Sequence, residues 1–245
     1  MITPLIPDWP VPGHVKSLIT TRQGGVSLPP YDSLNLAQHV GDDPTAVARN
    51  RALLKAAYQL PDDPFWLNQV HGCRVADSAT ETPDCEADAV FSDQPGVVCA
   101  VLTADCLPLL ITDRSGHRVC AVHAGWRGLA AGVIESAVSR MNTSPADLMA
   151  WLGPAIGPNV FEVGAEVRQA FIDSSASDEA AFMPHGDDHW LADIYQLARL
   201  RLARLGVNYV GGGDYCTMTQ TELFYSYRRE GVTGRMASLI WLDQK

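Results

Sequence analysis

Two apolar runs in this chain each end in a side chain capable of chemistry. Val119-Cys120-Ala121-Val122-His123-Ala124-Gly125-Trp126-Arg127-Gly128 reads as a buried strand that reaches a histidine, turns tightly and starts a helix. Val97-Val98-Cys99-Ala100-Val101-Leu102-Thr103-Ala104-Asp105-Cys106 ends in the same way, on Cys106. Such runs of apolar residues read as strands buried in a core. Reactive groups at the ends of buried strands are where α/β folds place their sites. A third segment, Phe65-Trp66-Leu67-Asn68-Gln69-Val70-His71-Gly72, carries another histidine after an apolar-aromatic run. His71, Cys106 and His123 together make a candidate three-ligand metal site with an open fourth position.

The remaining elements are read around these runs. Residues 16–22 form a strand that turns at Gln23-Gly24-Gly25, and 45–60 form a helix behind Asp43-Pro44. Strands are expected over 65–70 and 88–91. The 97–103 and 118–123 strands are expected to be central and joined by a hairpin around Asp113-Arg114-Ser115-Gly116. Helices are expected over 129–141, 163–172 and 190–205, and strands over 150–153, 207–210 and 235–242. Strands and helices alternate imperfectly, with at least one hairpin. That pattern is an α/β or α+β sandwich with mixed sheets rather than a clean doubly wound sheet. At 245 residues, with no internal repeat or low-complexity linker, the chain fits one domain over 1–245.

A net charge of −10 without a basic run argues against nucleic acid as the main partner. It leaves room for a small anion held by a few local arginines. The first residues have neither a positive segment nor an apolar core of the signal-peptide kind, and no apolar stretch is long enough to span a bilayer. The expected setting is the cytoplasm, with no membrane partner and a monomer as the default. The six cysteines form no Cys-x-x-Cys pair and read as free thiols, Cys99 and Cys120 as core residues.

Several blocks carry a resemblance. Asn68-Gln69-Val70-His71-Gly72, Thr103-Ala104-Asp105-Cys106-Leu107-Pro108 and Val122-His123-Ala124-Gly125-Trp126-Arg127-Gly128 resemble the signature segments of the YfiH family of laccase-domain proteins. Thr20-Thr21-Arg22-Gln23-Gly24-Gly25-Val26-Ser27, Gly153-Pro154-Ala155-Ile156-Gly157-Pro158, Phe224-Tyr225-Ser226-Tyr227-Arg228-Arg229 and Gly234-Arg235-Met236-Ala237 agree in order, so the likeness spans nearly the whole chain. The family carries an older polyphenol oxidase or laccase label, and its members are described as purine nucleoside phosphorylases. The resemblance implies a layered α/β/β/α fold shared with cysteine hydrolases. It also implies a zinc bound by His71, Cys106 and His123, with copper as the alternative metal.

Two reactions follow from that resemblance. One is phosphorolysis of purine nucleosides (adenosine, inosine, guanosine, methylthioadenosine), with nucleoside and phosphate as the partners. The other is adenosine deamination by an activated water, as in other zinc deaminases, although the His-x-Glu acid/base motif of those enzymes is lacking. Asp105 is the candidate for proton transfer or ligand orientation, beside the alternative of a carboxylate capping a turn. Arg22, Arg51 and Arg127 are candidates for a phosphate pocket, beside the alternative of surface ion pairs. Trp126, Phe224 and Tyr227 are available to sandwich a base, or to pack a core. His185 and His189 are read as a solvated loop before a metal clip.

Different chemistry remains open for the same residues. Cys106 as nucleophile with His123 as base would make an amide hydrolase, for example on a cell-wall precursor peptide. Copper oxidation of phenols in the laccase manner requires several coppers and His-x-His pairs. Seven histidines without one such pair argue against it. A non-catalytic binding protein fits an open three-ligand site less well.

Overall fold

The computed structural model describes residues 2–243 and has a mixed α/β architecture. In chain order the elements are β1 (Val15–Ile19), α1 (Pro44–Tyr58), β2 (Val75–Asp77), β3 (Ala89–Ser92), β4 (Val98–Thr103), β5 (Leu107–Asp113) and β6 (Val119–Ala124). There follow α2 (Trp126–Ala131), α3 (Val133–Arg140), β7 (Leu148–Leu152), β8 (Glu162–Gly164), α4 (Ala165–Ile172), β9 (Phe182–Pro184), β10 (His189–Ala192), α5 (Ile194–Leu205), β11 (Tyr209–Gly212), α6 (Tyr227–Glu230) and β12 (Met236–Leu242). Six strands form the principal sheet in the order β11-β7-β5-β6-β3-β2. A second sheet runs β1-β12-β4, and a small one β8-β10-β9.

The two larger sheets stack face to face. Val15, Ile19, Cys99, Val101 and Ile240 from one meet Val90, Leu110, Val119, Ala121 and Trp151 from the other. The outer face of the three-stranded sheet is covered by α1, with Leu54 against Leu18, Ala100 and Leu239. The outer face of the six-stranded sheet is covered by α2, α3, α4 and α5, through Leu129, Ile134, Val167 and Leu202 against Leu109, Val122 and Leu152. Strands β4, β5, β6 and β12 are therefore buried from end to end. This is why their sequences show no polar alternation. The six-stranded sheet is mixed: β7–β5, β5–β6 and β6–β3 pair antiparallel, whereas β7–β11 and β2–β3 pair parallel.

Several expectations are corrected. The 97–103 and 118–123 runs are strands, but β4 and β6 belong to different sheets. The hairpin at Asp113–Gly116 joins β6 to β5, a seven-residue strand that lies between β4 and β6 in the chain. Residues 65–70 form no strand, only single bridges from Phe65 to Cys99 and Asn68 to Glu86. The 129–141 helix is two helices broken at Gly132, whose φ of 97° no helix interior accepts. The starts of the 163–172 and 190–205 helices are strands β8 and β10, which pair with each other. Among the described residues no helix is long and apolar enough to cross a membrane.

Candidate active site

The hairpin register explains how residues distant in sequence meet. Leu107 pairs with Ala124 and Pro108 with His123, so Cys106, just before β5, lies beside the end of β6. Residues 104–106 carry the chain from β4 in one sheet to β5 in the other. On the far side of β6, the His123 amide donates to the Asp88 carbonyl at 2.7 Å, at the start of β3. His71 arrives on an irregular segment with a left-handed φ of 60°. That segment is held to β4 by Gln69, whose carboxamide accepts from the Leu102 amide at 2.7 Å and donates to the Leu102 carbonyl at 2.9 Å. Gln69 thus replaces a strand partner with a side chain.

The ligand atoms of His71, Cys106 and His123 lie within 4.8 Å of one another, the one such cluster among the described residues. Cys106 Sγ is 3.9 Å from His71 Nε2. The glycine of the turn belongs to the same design. A Cβ on Gly125 would stand 3.0 Å from both Cys106 Sγ and His71 Cδ2. Only a bare backbone allows the three side chains to converge there.

Behind the cluster lies Asp88, fully buried. Its carboxylate accepts from the amides of Val70, His71 and Gly72 at 3.2, 2.9 and 2.6 Å, and from His123 Nδ1 at 2.7 Å. Burial alone would raise the Asp88 carboxyl. The hydrogen bonds from His123 and the Gly72 and His71 amides outweigh burial and hold it below the ordinary carboxylate value. Burial likewise opposes charge on His123 and on the Cys106 thiol. For His123 the Cys106 thiolate and the Asp88 carboxylate outweigh it and raise the imidazole to about 9. For Cys106 the His123 charge and the hydrogen bonds from His123 and His71 bring the thiol down to about 6.

These donors suit a metal. Nitrogen at about 2.0–2.1 Å and sulfur at about 2.3 Å from a tetrahedral zinc would stand roughly 3.3–3.8 Å apart. The observed spacing is within a small movement of that. Asp88 on His123 Nδ1 fixes the tautomer that presents Nε2 as a ligand lone pair, the carboxylate–histidine arrangement common behind zinc. The thiol that is already inclined to ionise is the third donor.

Two lobes of one cavity meet at His71, Cys106 and Tyr227. One, of about 290 Å³, has Trp126, Phe161 and Ile156 on its walls and Arg127 and Arg228 at its rim. The other, of about 400 Å³, is bounded by His39, Gln69, Thr103 and Arg235.

Residues 16–243 match the family described as multi-copper polyphenol oxidoreductase laccase. The chain belongs to this family. A relative in Escherichia coli K12 named purine nucleoside phosphorylase YfiH is 57% identical over 97% of this chain and 98% of its own. A purine nucleoside phosphorylase of Pseudomonas aeruginosa is 54% identical over 98% of each chain. A Neisseria meningitidis protein of known crystal structure superposes with a TM-score of 0.95 at 51% identity, covering 98% of this chain and 99% of that one.

Within this laccase-family chain the other candidates separate. Asp105 lines the aromatic lobe, but its carboxylate is saturated. It accepts from Thr217 Oγ1 at 2.6 Å, Ser226 Oγ at 3.0 Å and the Arg228 amide at 2.7 Å. These bonds tie the Cys106 turn to the 217–228 segment. Arg22 is committed to Glu230 at 2.8 Å and to the carbonyls of Asp32 and Thr221, and lines neither lobe. Arg51 lies over the Trp66 ring at 4.2 Å with Nε on the Leu36 carbonyl. Arg127 is at the rim, over the Trp126 ring at 4.4 Å. Phe224 is core, whereas Trp126 and Tyr227 face the cavity. His185 and His189 sit at the β9–β10 turn, outside the cluster.

Asp88 and Phe161 were missed by sequence reading. Asp88 opens an apolar strand just as Cys106 does, and that shared placement was the available signal. Phe161 had none.

Proposed function

We propose that this chain is a metal-dependent purine nucleoside phosphorylase, with zinc as its resident metal. Its substrates are adenosine, inosine, guanosine and methylthioadenosine, and adenosine deamination is a secondary activity. The observation that carries the reading is the His71–Cys106–His123 cluster, backed by Asp88, at the junction of an aromatic lobe and a second lobe bounded by His39 and Arg235. The near full-length likeness to relatives named purine nucleoside phosphorylase supports it.

His71, Cys106 and His123 would hold the metal, and the metal supplies a Lewis acid at the junction. The chain's own groups do the rest. Trp126, Phe161 and Tyr227 offer flat apolar faces for a purine. Asp88 keeps His123 oriented. Asp105 holds the turn that carries Cys106, a positioning role. Arg127 and Arg228 close the rim of the aromatic lobe. Chromatography of products from adenosine plus phosphate tests this, with His71→Ala as control. Adenine and ribose-1-phosphate, or inosine, from wild type alone support the reading. No product from either protein overturns it.

A second reading is favoured by one observation, the chain of contacts Cys106, His123, Asp88. That order is the nucleophile, base and orienting carboxylate of a cysteine hydrolase, including one acting on a cell-wall precursor peptide amide. Chelation separates the two. It abolishes the phosphorylase and leaves or enhances a hydrolase, because a metal-bound thiolate is not a free nucleophile. Weak oxidation of phenols by copper at the same three ligands is the remaining alternative, and copper-loaded protein assayed on a phenol tests it.

A further inference from the structure

Seven of the fifteen arginines, Arg22, Arg140, Arg168, Arg201 and Arg204 among them, have a carboxylate within ion-pair distance. Arg235 and Arg51, both half-buried, are among those with none within the described residues, and both act on His39. Arg235 faces the second lobe. Its side chain donates only from Nη1, to the carbonyls of Thr233 at 2.8 Å and Gly234 at 3.0 Å. Nε and Nη2 find no protein acceptor. Arg51 stands behind, its single hydrogen bond going to Leu36. His39 lines the lobe near both, and burial, Arg235 and then Arg51 disfavour its charged form. Desolvated guanidinium groups normally have a partner. In a chain of net charge −10, a concentration of positive charge lacking one is a place built for an anion from outside.

We propose that the second lobe is the phosphate-binding half of the site: a phosphate dianion docks between Arg235 and His39, with Arg51 adding charge from behind, while the purine fills the aromatic lobe. This rests on the phosphorylase reading and reassigns the anion from the arginines that sequence suggested. Arg22 lies elsewhere and Arg127 borders the purine lobe. The ribose sits at the junction beside His71, Cys106 and Tyr227. A hydrogen phosphate oxygen forms the new bond to C1′ as the C1′–N9 bond breaks and its electron pair leaves on the purine. The proton lost by hydrogen phosphate on becoming an ester balances the one gained by the departing base. Displacement at C1′ needs nucleophile and leaving group on separate faces of the sugar, and two lobes meeting at one point provide them.

Titration calorimetry with sodium phosphate and, separately, adenosine tests this on zinc-loaded wild type, Arg235→Met and His39→Glu. Each variant should weaken phosphate binding by about tenfold or more and leave adenosine binding within about twofold. His39 is exposed, so His39→Glu serves should Arg235→Met fail to fold. Unchanged phosphate affinity in both variants, no phosphate binding by wild type, or Arg127→Ala alone weakening phosphate overturns the proposal. The dianion is free phosphate if adenosine and phosphate bind together. It is a nucleotide's 5′-phosphate, against the proposal, if the two exclude each other and adenosine monophosphate displaces both. Loss of phosphate binding in the variants, with no release of base by wild type, would uphold the lobe and overturn the phosphorylase.

Discussion

At the scale of single residues, the three ligand candidates were legible because each stands where an apolar segment stops. His123 lies near the end of a strand buried from end to end, and Cys106 immediately precedes another. The place of Asp88 before an apolar strand is legible, but its role is not, because that is made through space by three amides of the 70–72 segment. Asp105 lines the cavity, and its three hydrogen-bond partners favour a turn-holding role over proton transfer. The electrostatic chain from Asp88 through His123 to Cys106 gives a measurable consequence. In metal-free protein, iodoacetamide should alkylate Cys106 with a midpoint near pH 6 rather than 9, followed by mass spectrometry of its peptide. The sign follows from the pair. His123 stays cationic up to about 9, so between the two values its charge favours the thiolate. In Asp88→Asn the imidazole loses its anionic partner and its charge, and the Cys106 midpoint should move up. Zinc affinity in the same variant should fall by about 10- to 100-fold, read by competition with a chromophoric chelator. An unmoved midpoint would mean that Asp88 does not support His123.

At the scale of elements, strands β3, β4, β6 and β12 were legible from continuous apolar runs, and α1 from Asp43, which accepts from the Thr45 amide, and Pro44 behind it. Which strands pair was not. β4 and β6 look alike in sequence because both are buried on two faces, yet they lie in different layers. The short strands β8 and β10 were absorbed into helices because three or four residues are too few to show a period of two beside a longer helical pattern. Gly132 shows how one residue divides an element. Its φ of 97° separates α2, which carries Trp126 and Arg127, from α3. A Cβ there would meet only Glu135 at an ordinary 3.6 Å, so the penalty of Gly132→Ala is conformational. It should destabilise the fold by about 1–2 kcal/mol, seen as a lower urea midpoint with unchanged m. KM for nucleoside should stay as in wild type. A raised KM would show that the break also sets the position of Trp126.

At the scale of the whole molecule, the cluster is assembled from three pieces of chain with different anchors. His71 is tied to β4 through Gln69 and to β3 through Asp88, Cys106 stands where the chain passes between sheets, and His123 ends a central strand. An ion bound by all three would link the two stacked sheets at one end, and the unfolded chain offers no such arrangement of donors. Binding to the folded form alone stabilises it by about 2.7 kcal/mol when free metal is a hundred times its dissociation constant. For a chain of this length each kcal/mol moves the melting midpoint by roughly 2–4 °C. Removal of metal by a chelator should therefore lower the midpoint by about 5–10 °C, abolish nucleoside turnover, and be reversed by added zinc. His71→Ala should melt near the metal-free wild type and respond to neither chelator nor zinc. The melting shift is independent of any substrate, so it tests the metal centre even where the reaction assigned to it is wrong. A wild type whose melting and turnover both ignore the chelator, while its metal content falls to zero, would leave Cys106 and His123 as an unmetallated nucleophile and base.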